Sequence, residues 1–205
     1  MKKLLILGMC GCMLTPFIAC NSGQSTDQRG DSTAEAMPVE GTDTIAGSAD
    51  EGGYSQQLTY KQYSFSVNSK GEGALRKLTI TGRDSASDFD EVNMPLEGDI
   101  YYASTADLNG DGKPEVYAFT RGKDSAGYSK VYAYAFDKQT GKQISFPDLT
   151  PEQSKEYMGH DSIYIDKNYL VRSFSTDKGD AVPQRKTIRY VLRPGENGFQ
   201  AIKEQ

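Results

Sequence analysis

From Leu58 onward, apolar and polar residues alternate in short runs broken by Gly, Asn and Asp. Tyr63, Phe65 and Val67 alternate, followed by Leu78 and Ile80, then by Ile100, Tyr102, Ala106 and Leu108. The texture continues through Val116-Tyr117-Ala118-Phe119, from Val131 to Phe136, and through Ile163-Tyr164-Ile165. It returns from Tyr169 to Phe174, at Ile188, Tyr190 and Leu192, and lastly from Phe199 to Ile202. Period-two runs of Tyr, Phe, Val and Ile between turn residues predict about nine or ten short strands. One segment departs from the rule. Thr150-Pro151-Glu152-Gln153 has a capping residue, a proline at the first helical position and a Gln that can complete a capping box. It predicts a helix that Gly159 ends after two turns. The fold class that follows is mostly β, an antiparallel β-sandwich or curled sheet with one short helix. No repeated sequence unit stands out.

The first 57 residues have a different texture. Met1-Lys2-Lys3 followed by Leu4-Leu5-Ile6-Leu7 reads as the charged and apolar regions of a secretory signal, residues 1–19. The run closes on Phe17-Ile18-Ala19-Cys20, which resembles the lipobox of bacterial lipoproteins, with Phe17 where Leu is usual. That resemblance implies a lipidated (palmitate-bearing) Cys20 as the mature N-terminus and anchoring to a membrane without a spanning helix. An ordinary cleaved signal, or a buried apolar segment, is the plainer alternative. Residues 21–57 are mostly Ser, Thr, Gly, Ala, Gln and acids, with one aromatic, Tyr54. Such a segment buries too little apolar surface to offset its ordering entropy. Residues 20–57 are therefore expected to be a disordered tether of root-mean-square span on the order of 33 Å, and 58–205 the folded domain.

Composition narrows the function classes. The chain has 205 residues and a formal charge of −5. Seven acids against Arg29 alone put most of that charge in residues 21–57. The folded part is nearly neutral, with no basic footprint for nucleic acid. All three cysteines, Cys10, Cys12 and Cys20, lie in the first twenty residues, so the domain has no disulfide scaffold and no thiol nucleophile. Past the N-terminus no stretch approaches the roughly 20 apolar residues needed to span a bilayer.

Three local motifs carry candidate chemistry. Asp107-Leu108-Asn109-Gly110-Asp111-Gly112-Lys113-Pro114-Glu115 lies between two predicted strands. Side-chain oxygens of Asp107, Asn109, Asp111 and Glu115, with the Lys113 carbonyl, suit a hard cation such as Ca²⁺. The loop resembles those of β-propeller and integrin-type repeats, but Ala118 stands where an EF-hand needs its bidentate Glu. The competing reading is a turn whose Asx side chains cap backbone amides. A structural role covers both, and no cofactor is required. The only histidine, His160, precedes Asp161, yet no Ser in a nucleophile-elbow context accompanies them. A hydrogen-bonded strut at the helix exit is therefore favoured over a general base, and the chain is read as no enzyme. Finally, Gly122-Lys123-Asp124-Ser125-Ala126-Gly127-Tyr128-Ser129 is small and polar around one Tyr. It predicts a hairpin tip, either a plain surface turn or a projection into a partner's cleft.

The order of these pieces resembles the periplasmic inhibitors of invertebrate-type (i-type) lysozyme. The resemblance runs from about Phe65 to Ile202 and includes the Asp107 loop, the Ser…Tyr hairpin and Tyr157-Met158-Gly159-His160-Asp161. After them come Leu170-Val171-Arg172-Ser173-Phe174 and Ile188-Arg189-Tyr190-Val191-Leu192-Arg193-Pro194-Gly195-Glu196. It implies a β-sandwich and a loop whose Ser and Tyr, here Ser125 and Tyr128, enter the lysozyme cleft. The family loop favours Gly directly after the Ser, where this chain has Ala126. The implied protein is a lysozyme inhibitor in the cell envelope, anchored by lipid to the outer membrane and facing periplasm or surface. The alternative from the residues is a cation-stabilised module that binds envelope glycan or protein.

Overall fold

The computed structural model describes residues 53–72, 76–123, 127–176 and 184–202. Cys20 and Ser125 lie outside the described residues, as does most of the expected tether. Twelve strands form three four-stranded antiparallel sheets, and within each sheet the strands follow one another in chain order. The first sheet holds β1 (Tyr54–Tyr60), β2 (Tyr63–Lys70), β3 (Lys77–Arg83) and β4 (Val92–Pro95). The second holds β5 (Asp99–Ala106), β6 (Glu115–Arg121), β7 (Ser129–Asp137) and β8 (Thr140–Ile144). Helix α1 (Pro151–Glu156) precedes the third, made of β9 (Ser162–Asp166), β10 (Tyr169–Thr176), β11 (Gln184–Val191) and β12 (Gln200–Ala201). The fold is mostly β, with the single short helix expected among the described residues.

Strand β1 starts at Tyr54, four residues before the boundary read from the sequence. Residues 54–57 are therefore not tether: Tyr54, Ser55, Gln56 and Gln57 pair in register with Ser69, Asn68, Val67 and Ser66. Gln56, although polar, is buried, and its side-chain carbonyl accepts from the Ala103 amide at 3.3 Å.

Burial explains the layering. One hydrophobic cluster joins Leu58, Phe65, Val67, Leu78 and Ile80 of the first sheet to Val116, Ala118, Tyr134 and Phe136 of the second. Another joins Tyr117, Phe119, Ala133 and Ile144 of the second sheet to Ile163, Leu170, Phe174 and Ile188 of the third. The second sheet thus has a core on each face. Its strand β6 is buried from Glu115 to Thr120, as the uninterrupted run Val116-Tyr117-Ala118-Phe119 requires of a strand covered on both sides. Strands β2 and β3 have one buried face and alternate instead.

The helix forms as read. Thr150 accepts from the Gln153 amide at 3.3 Å, and Gln153 returns the bond to the Thr150 amide at 2.9 Å. It ends at Glu156, before Gly159, because Tyr157 turns extended and bridges Thr176 of β10. Gly159 and His160 then both adopt positive φ, 75° and 51°. That double left-handed step costs His160 some strain and places Asp161 in the interior, with 2% of its surface exposed.

Candidate functional site

The hairpin, the helix exit and β10 meet at a buried ion pair. Arg172, 1% exposed, donates to Asp161 Oδ2 from Nε at 2.9 Å and from Nη2 at 2.6 Å. Asp161 Oδ1 accepts from the Ser129 amide at 2.6 Å, and the Asp161 carbonyl accepts from Ser129 Oγ at 2.8 Å. A buried pair is tolerable only when hydrogen bonds satisfy its remaining lone pairs, and Ser129 meets that need. The second strand of the hairpin is thereby clamped to the helix exit. Neither Arg172 nor Asp161 stands out in the sequence alone. Asp161 ends Tyr157-Met158-Gly159-His160-Asp161 and Arg172 lies in Leu170-Val171-Arg172-Ser173-Phe174, and the structure brings these two segments together.

Tyr128 does not project from a hairpin tip. Its carbonyl accepts from the Gly122 amide at 2.8 Å, which closes the turn and puts Tyr128 at its base. The ring is half-buried, 5.0 Å from the Arg172 guanidinium and edge-on to Tyr157 at 6.0 Å. Arg172 also lies 5.7 Å from the Tyr157 ring. Burial, then the neighbouring Asp161 carboxylate, push the Tyr157 phenol up to about 12, so it stays neutral at ordinary pH. The free part of Tyr128 faces a groove of about 470 Å³ shared with Lys130, Tyr132, Phe146 and Pro147. On the Asp161 side lies a second pocket, of about 310 Å³, lined by Arg121, Gly127, His160, Ser162 and Arg185.

His160 is exposed, and its carbonyl, not its ring, takes the bond from Arg185 Nη2 at 3.2 Å. The strut expected of the imidazole is supplied by Asp161 instead. No His–Asp dyad forms, since Asp161 is committed to Arg172 and Ser129.

The Asp107 loop, between β5 and β6, is a separate centre. Carboxylate oxygens of Asp107, Asp111 and Glu115 lie within 4.8 Å of one another. The turn also makes the Asx bonds of the competing reading. Asp111 N donates to Asn109 Oδ1 at 2.8 Å, Gly112 N to Asp107 Oδ2 at 2.9 Å, and Lys113 N to Asp111 Oδ1 at 2.8 Å. The Lys113 ammonium pairs with Asp137 at 3.0 Å. Of the five expected ligands, the three carboxylates converge. Asp107 Oδ1 is buried without a hydrogen-bond partner, and that orphaned oxygen fits a cation. Glu115, 1% exposed, accepts only from neutral donors, the Leu108 amide at 2.8 Å and the Tyr117 hydroxyl at 3.0 Å. Burial, reinforced by Asp107 and Asp111, pushes its carboxyl up to about 7. Burial beside Glu115 likewise raises the Tyr117 phenol.

Comparison with known proteins adds no name to these two centres: no family model matches the chain, and no curated protein matches it.

Proposed function

We propose that this protein is a non-enzymatic inhibitor of lysozyme, of the invertebrate type by its family resemblance, held at the cell envelope by a lipid on Cys20. The observation that carries the reading is the clamp behind the hairpin. Ser129 and Tyr128 are fixed to the buried Asp161–Arg172 pair, so these two residues lose little conformational entropy on docking. Grooves on both sides of that base give a partner surface to engage. Tyr128 contributes at the base of the loop, where its ring can stack on a partner group, and Ser125 belongs to the segment that enters the cleft. A lysozyme cleaves glycosides with two carboxyl groups, which hydroxyl donors can hydrogen-bond.

A second reading keeps the same surface but makes the protein a cation-stabilised binding module for envelope glycan or protein. The convergence of Asp107, Asp111 and Glu115 favours it. Turbidimetric lysis of cell walls by lysozymes of several classes, with and without the purified protein, separates the two. Inhibition of one class is the expected result; inhibition of none sinks the inhibitor reading and leaves the module.

A further inference from the structure

The 310 Å³ pocket beside the hairpin is lined by three basic residues, Arg121, Arg185 and His160. Its single acid among the described residues, Asp161, is neutralised by Arg172. Among the described residues neither Arg121 nor Arg185 makes an ion pair. The acid facing Arg121 across the sheet, Asp99, is in register with it but paired with Arg76 and Lys123. Arg121 lies instead over the Tyr101 ring at 4.9 Å, and Tyr101 is held by its own bond to the Ile163 carbonyl at 2.9 Å.

Arg185 is fixed more firmly. Nε donates to Ser173 Oγ at 3.1 Å, and Nη2 to the Ser173 and His160 carbonyls at 2.9 and 3.2 Å. Nη1 reaches Ser175 Oγ at 3.5 Å. All four acceptors are neutral, so the guanidinium is oriented, and among the described residues it has no ion-pair partner. Two oriented guanidinium groups on one pocket suit a carboxylate, which takes charge-assisted bonds from such forks.

We infer that Arg121 and Arg185, with His160 at their side, receive one carboxylate side chain of the protein that docks against Tyr128. The inference rests on the inhibitor reading and names a second point of attachment for the same partner. Gly127 lines the pocket and Tyr128 follows it in the chain, so a protein seated on Tyr128 lies next to the pocket. The chemistry specifies an acidic residue of the partner.

The test uses full-length protein and the lysozyme it inhibits. Arg121→Gln is the first variant, because Arg121 is exposed and its loss leaves the core intact. Arg185→Gln, Arg185→Lys and Arg121→Glu follow, each with a thermal melt. Expected are a weakening of inhibition of about tenfold or more for each Gln variant, a larger loss for Arg121→Glu and partial rescue by Arg185→Lys. The Gln variants should also show less sensitivity of affinity to salt, since a screened charge pair has been removed. Inhibition within twofold of wild type in Arg121→Gln and Arg121→Glu overturns the inference and leaves the inhibitor reading standing. Where wild type inhibits no lysozyme, N-acetylglutamate titrated against the arginine Nε–H resonances decides. Shifts confined to Arg121 and Arg185, lost in Arg185→Gln, support a carboxylate receptor; absence of such shifts overturns it.

Discussion

Two carboxylates are almost equally buried in this protein and are handled in opposite ways. Asp161 faces a guanidinium and an amide; Glu115 faces an amide, a phenol and two further acids. The first arrangement balances charge and locks three chain segments together. The second leaves negative charge in a poorly solvated place, so its carboxyl holds its proton up to about pH 7. Burial alone therefore says little about a carboxylate's role. The partner decides: Asp161 is a clamp, and Glu115 is a group still available to a proton or a cation.

Breaking the clamp should have the largest effect. Arg172→Met leaves Asp161 unpaired in the interior, a change that costs about 3–5 kcal/mol in buried pairs. Replacing both partners, as Asp161→Asn with Arg172→Met, should recover a large part, because no lone charge remains. Urea unfolding of the three proteins measures this. Equal losses in the single and double variants would show that shape, not charge, holds the junction.

The second centre should show itself through pH. In the metal-free protein the folded pKa of Glu115, about 7, stands above its ordinary value of 4.5. The native state holds this proton more tightly, so the contribution is fully present below pH 4.5 and lost as pH rises through 7. The loss is on the order of 3 kcal/mol. Unfolding in the presence of chelator from pH 5 to pH 8 should give a falling stability in wild type and a flatter curve in Glu115→Gln. An identical slope in both proteins would assign the titration to another group.

These two centres were unequally legible in the sequence. The Asp107 loop could be read because its oxygens come from one short segment, with glycines at 110 and 112 that take φ of 73° and 87°. Asp161 and Arg172 are eleven residues apart, one before β9 and one on β10, and nothing local marks them as partners. The strands show the same division. Those with a strong apolar pattern were readable, whereas β4 and β8 were not among the nine or ten expected, because Val-Asn-Met-Pro is only four residues long and Thr-Gly-Lys-Gln-Ile has one large apolar residue. The turn before β8 carries Lys138 and Gln139 at positive φ, without the Asn-Gly that normally signals such a hairpin. Nor did any sequence repeat announce the three four-stranded units, since their similarity lies in the order of pairing and not in side chains.

Calcium sharpens the contrast between the centres. A ligand that binds only the native state stabilises it by about 2.7 kcal/mol at a hundred times its dissociation constant. If Asp107, Asp111 and Glu115 hold the ion, the gain should be larger at pH 8 than at pH 5.5, because a ligating carboxylate must first lose its proton. Asp107→Asn should reduce it. A melt unchanged by Ca²⁺ at both pH values leaves the Asx-turn role alone, while Arg172→Met should leave any Ca²⁺ response intact.

Tyr128 connects the clamp to the surface, and its truncation is the smallest expected change. A residue at a hairpin tip would lose less than about 0.5 kcal/mol of stability on truncation. The observed ring instead covers the Arg172 guanidinium and meets the edge of Tyr157. A partly desolvated cation–π contact and an aromatic pair together suggest about 1–2 kcal/mol for Tyr128→Ala. Tyr128→Phe keeps the ring and should keep most of that stability, so the two variants separate packing from the hydroxyl. Lysozyme affinity measured beside the melts then divides the roles of this residue. Loss of affinity in both variants would assign binding to the phenol oxygen, and loss in Tyr128→Ala alone would assign it to the ring. If Tyr128→Ala melts with wild type, the ring is not supported by Arg172, and the clamp does not extend to the hairpin's base.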